Sequence, residues 1–142
     1  MGDYSMTVYQ ICAIVGVALL FATSILHLLL IFGAPLGELV FGGQNKIIPV
    51  GQRYRNLIIM LLSAAMSVLY LTKANLVAFS IPPVLLNTVM VVFLVFLAGV
   101  IFLNFVITKS PQEKWLTGPS TIITGLSGLI LMIFGLFFVA SV

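Results

Sequence analysis

The stretch "ICAIVGVALLFATSILHLLLIFGAPLGELVFGG", residues 11–43, decides the architecture. From about Thr7 to Phe32 the chain is apolar and carries no Asp, Glu, Lys or Arg. At 1.5 Å per residue such a run extends about 39 Å, longer than the roughly 30 Å hydrocarbon core of a bilayer. A membrane-spanning helix with some tilt or an interfacial end is therefore expected. Gly33, Pro35 and Gly37 end it, because proline lacks the amide and glycine favours a turn. Leu36, Leu39, Val40 and Phe41 are too apolar for a freely solvated loop. The segment 36–41 is expected to lie in the interface or to fold back into the bundle, with Gly42-Gly43 allowing the turn.

The rest of the chain repeats the pattern. Apolar segments at about 7–32, 56–78, 83–107 and 119–141 predict an all-α, integral membrane four-helix bundle, a single transmembrane domain over residues 1–142. Hydrophobic residues make up 62% of the 142, charged ones 6%, and the mean hydropathy is +1.31. Soluble domains carry about 25% charged residues, so the lipid bilayer is the expected partner of this surface. Lys46, Arg53, Arg55, Lys109 and Lys114 fall in two larger loops, whereas Lys73 alone falls on the opposite side. By the positive-inside rule both larger loops face the cytoplasm and both termini are predicted extracytoplasmic. Lys73 is read as snorkelling at the outer end of helix two, where Asp3 can pair with it. The first segment is read as a retained helix, since no basic residue precedes it and no cleavage site follows.

The inventory excludes much chemistry. One histidine, one cysteine (Cys12) and the acids Asp3, Glu38 and Glu113 cannot build a multi-ligand metal centre within one chain. No phosphate loop or nucleophile elbow is present. No catalytic residue, metal or cofactor is nominated, and six basic residues spread over several loops make no nucleic-acid patch. The size matches four-helix proton-coupled exporters, yet those rely on a carboxylate inside the first helix, where this chain has His27.

The candidate polar site is His27, Glu38, Asn104 and Asn87. Asn87 and Asn104 share one face of helix three, since their spacing is close to a whole number of turns. Lipid offers no partner to an amide, so that face points inward. His27 stands near the end of helix one. It either donates to exposed carbonyls, bonds Asn104, or pairs with Glu38 if the loop folds back. Arg53 and Arg55 are equally available partners for Glu38. These two arginines and Trp115 are the expected cytoplasmic loop contacts, Trp115 also as an interfacial anchor. "PLGELVFG" (35–42) and "PQEKWLTG" (111–118) share a spacing of proline, acid, aromatic and glycine, which places the two loops side by side. Small residues, among them Gly16, Ser63, Ser67, Thr124 and Gly128, are the expected packing seams.

The histidine followed by "GAPLGELVFGG", together with "KSPQEKWLTGP" at 109–119, resembles a group of uncharacterised small bacterial four-helix membrane proteins. The resemblance implies the bacterial inner membrane and a multi-pass fold, and transfers no activity. The function expected is an accessory or interaction protein with a membrane-protein partner or a second copy. The alternatives are an oligomeric small-solute or proton-linked transporter and, less favoured, a lipid-acting enzyme.

Overall fold

The computed structural model describes the backbone of residues 2–139 and the side chains of residues 8–134. Asp3 therefore lies outside the described side chains, and residues 140–141 of the expected last helix lie outside the description. Helix α1 is Gly2–Ile31, α2 is Arg53–Lys73 and α3 is Pro83–Phe102. A wide π turn, Leu103–Ile107, continues α3, and another, Glu113–Thr117, leads into α4, Gly118–Val139. All four helices are long and apolar enough to cross a membrane. No strand occurs among the described residues.

Helix ends follow local chemistry. Gly33 takes φ +90, its amide bonds Leu30 O at 3.1 Å, and Ala34 N bonds Leu29 O at 3.0 Å. This double closure satisfies the last carbonyls of α1 just before Pro35. Helix α2 ends the same way: Asn75 takes φ 55, Asn75 N meets Thr72 O and Leu76 N meets Leu71 O. Asparagine tolerates the left-handed conformation better than most residues. Consequently α2 stops at Lys73, short of the expected 78, and it begins at Arg53 rather than 56. The fourth helix departs most from expectation. Its backbone is already helical at Pro111, so "PQEKWLTG" is helix and not loop. Ser110 caps it, with Glu113 N donating to Ser110 Oγ at 3.3 Å. Pro111 occupies a first-turn position where its missing amide costs nothing.

Around the bundle the order is α2, α1, α4, α3: α1 packs along both α2 and α4, α3 packs on α4, and α2 touches α3 only sparsely. One core fills the end near the α2–α3 connection and includes Tyr70, Met66, Met90, Leu131 and Ala13. Tyr70 sits in a slot left by Gly16 and Gly128, where added methyls would collide with its ring. Its hydroxyl donates to Thr124 O at 3.0 Å. A second, smaller core at the loop end joins Leu30, Val40 and Ile48, with Leu26, Leu36, Leu39 and Phe41 against it. The 36–41 segment thus folds back, as its apolar character demands. Side chains such as Val84, Val92 and Val95 face outward, which suits a hydrocarbon solvent.

Gly33 tests the α1 exit. A Cβ there would meet an Arg53 guanidinium nitrogen at 2.9 Å as well as the unfavourable φ. Gly33→Ala is expected to lower stability by about 1–3 kcal/mol in detergent unfolding. Gly51→Ala, whose Cβ meets nothing within 4 Å, is the control and should change little.

Candidate functional site

His27 lies in the last two turns of α1 and is 5% exposed. Its Nδ1 is 2.8 Å from Oδ1 of Asn56, a fully buried residue in the first turn of α2. Which of the two groups donates depends on the ring tautomer and on the orientation of the Asn56 amide, whose Nδ2 is buried with no partner. The partner is thus neither Glu38 nor Asn104. Asn56 was not nominated from sequence, because it fell at the expected start of helix two and read as the edge of a polar loop. Ser24 Oγ, one turn earlier, donates to Met60 O at 3.2 Å and ties the same two helices. Phe41 lies beside the imidazole, ring centroids 6.2 Å apart. The Arg55 guanidinium covers Phe41 at 4.4 Å.

The loop-end charges are used internally. Arg53 donates from Nη1 to Ile31 O at 3.0 Å and from Nε to Ile48 O at 3.2 Å, which fixes the α1 exit. Arg55 donates to Gln52 Oε1 at 2.6 Å. Neither arginine meets Glu38, whose Oε2 instead accepts from Gln112 Nε2 at 3.3 Å. Trp115 stays exposed, on the first turns leading into α4.

The two loop regions do lie side by side, joined by a contact the sequence reading missed. Glu113 is buried, and its Oε2 accepts from Gly42 N at 2.6 Å and from Thr108 Oγ1 at 2.7 Å. Ser110 Oγ donates to Glu38 O at 2.6 Å. Gly43, at φ +67, approaches so closely that a Cβ would collide with Ser110 Cβ. The signal was present as Ser-Pro-Gln-Glu at 110–113, the spacing of a helix capping box. Its glutamate reaches across to the other loop instead of back to its own cap.

Beneath this staple is a cavity of about 700 Å³ in the loop-end half of the bundle. Such a volume suits a small-molecule ligand. Leu62, Leu97 and Val100 are among its apolar walls, and Phe41, Gly42 and Glu113 roof it. Because α2 and α3 scarcely touch, it opens between them towards the surrounding lipid, with the exposed Phe96, Leu103 and Ile107 at the rim. His27 and Asn104 both line it. Asn104 is 5% exposed, and its amide has no protein partner among the described residues. Asn87 is elsewhere: its Oδ1 accepts from Lys73 Nζ at 2.7 Å near the other end of α3, and Tyr9 donates its hydroxyl to Lys73 O. Met90, Phe93 and Leu97 separate the two asparagines, so they form no continuous polar track. Compared with known proteins, the chain matches no family model, no curated protein and no solved structure.

Charged hydrogen bonds contribute about 1.5–3 kcal/mol. Glu113→Ala is therefore expected to speed amide exchange at Gly42 by roughly ten- to hundredfold, measured by hydrogen–deuterium exchange. Exchange at Ala34, held by α1 itself, should be unchanged.

Proposed function

We propose that this protein is an accessory protein of the bacterial inner membrane that holds a lipid-like amphipathic molecule between α2 and α3. The observation that carries the reading is the laterally open cavity, apolar along its walls and polar where His27 and Asn104 line it. An apolar chain entering from the bilayer leaves lipid for a similar environment, so specificity must come from the few polar groups. A small-solute pathway has less support, because Tyr70, Met90 and Leu131 fill the other half of the bundle. The bacterial placement rests on the resemblance carried by residues 27–43 and 109–119. Lys46, Arg53, Arg55, Lys109 and Lys114 at the loop end argue that this end faces the cytoplasm. Exposed Tyr54 and Trp115 there offer a surface to a partner protein or second copy.

Native mass spectrometry after extraction in mild detergent tests the reading. A bound amphipath of discrete mass is expected on the native protein. It should be reduced at least several-fold in Val100→Trp, which fills the cavity. Protein that carries no such adduct would overturn the proposal. For orientation, periplasm-dependent phosphatase fused after Asn75 should be active and fused after Gln44 inactive.

A further inference from the structure

The charged residues that line the cavity are Glu113 and Lys109, one of each sign. They stand four residues apart on the segment between α3 and α4. On a continuous helix that spacing brings side chains together. Here Thr108 is extended (φ −63, ψ 138) and Ser110 caps the helix that follows, so the two are not on one helix. Neither makes an ion pair with the other or with any described residue. Glu113 is 7% exposed. Gly42 N and Thr108 Oγ1 both donate to its Oε2, and Oε1 accepts from no described group. Oε1 nevertheless keeps accessible surface. A carboxylate shielded from water is costly unless its open lone pairs meet a donor or a cation. The side-chain amides of Asn104 and Gln44 also line the cavity, without a protein partner among the described residues, and can both donate and accept.

From this pair of opposite, unjoined charges we infer that the cavity takes a zwitterionic phospholipid whose head carries a primary ammonium, a phosphoethanolamine head. The ammonium donates to Glu113 Oε1, the phosphodiester faces the Lys109 ammonium, and the Asn104 and Gln44 amides serve the remaining oxygens. The inference rests on the proposed ligand-binding role and specifies the chemistry of the head. A dipolar head leaves neither charge uncompensated. A choline head has no N–H, so Oε1 would stay without a donor. An anionic glycerol head would satisfy Lys109 and set a second negative charge before Glu113. The acyl chains pass out between α2 and α3, beside Leu97 and Val100.

The test titrates the full-length protein in mild detergent with acyl-matched lipids and reads binding by native mass spectrometry. The probes are phosphatidylethanolamine, its N,N-dimethyl derivative, phosphatidylcholine and phosphatidylglycerol. The first two keep an N–H and are expected to bind about tenfold or more tighter than the last two, the order of one charged hydrogen bond. Glu113→Gln should bring the ethanolamine and choline lipids to about equal affinity; a merely structural loss would weaken both and keep their ratio. Lys109→Gln should weaken both several-fold and leave hexadecylamine, which has no phosphate, unchanged. Gel filtration and thermal unfolding check that the variants fold. If Glu113→Gln loosens the loops, the methylation series on the native protein and Lys109→Gln still decide. Equal binding of the ethanolamine and choline lipids by the native protein, or tighter binding of phosphatidylglycerol, would overturn the head assignment while leaving the cavity reading standing. Soluble phosphoethanolamine binding as tightly as the lipid would assign the site to a water-soluble ligand and overturn the lipid. No saturable lipid binding that Val100→Trp removes would defeat both the head assignment and the binding role.

Discussion

Hydrocarbon provides no hydrogen bonds, so every polar atom in a membrane-spanning bundle must find a partner within the protein or in a bound molecule. That constraint orders most of this structure. His27 finds Asn56, Ser24 finds Met60 O, and Tyr70 finds Thr124 O, each contact joining two helices. Helix-bound hydroxyls turn back onto their own backbone, as Thr121 does to Thr117 O. The loop end is closed by the same rule: Glu113 receives the Gly42 amide and the Thr108 hydroxyl. Asn56 Nδ2 and Arg55 Nε are buried without a partner, and Asn104, a buried residue whose amide has no protein partner among the described residues, stands on the wall of the cavity.

The spans were legible because transfer into lipid demands long apolar runs, and these survive in sequence without any knowledge of packing. The exit of α1 was legible in Gly33 and Pro35, whose backbone restrictions are local. The inward folding of 36–41 followed from apolarity alone. Other features depended on context. Asn75 ends α2 through a left-handed turn that only a few residue types tolerate, yet apolar residues beyond it masked the stop. Ser110 and Glu113 form a helix start that was hidden by reading proline as a loop signal. The partners of His27 and Glu38 are set by how helices rotate against one another. Sequence offered Glu38, Asn104, Arg53 and Arg55 as neighbours, and rotation chose Asn56 and Gln112 instead.

Arg53 and Arg55 illustrate how a charge count and a charge's use differ. Both belong to the basic bias of the loop end, and both are held by internal contacts. Arg53 meets the carbonyl end of α1, where a cation also favours the helix dipole. Arg55 covers Phe41, whose left-handed backbone and place beside His27 bring the roof of the cavity over its polar end. The roof is thus built from sequence-distant pieces, the 36–43 segment and the start of α4, held by a buried carboxylate. Among the described residues the seam between α2 and α3 has no equivalent tie at the cavity level, and the two helices touch only sparsely there.

A high-resolution structure determined in nanodiscs of native lipid bears most directly on whether the cavity is a binding site. Continuous elongated density is expected between α2 and α3, ending in a head group within hydrogen-bond distance of Glu113 Oε1 and the Asn104 amide. A bundle in which α2 and α3 close on each other and Asn104 pairs with a protein group would contradict it.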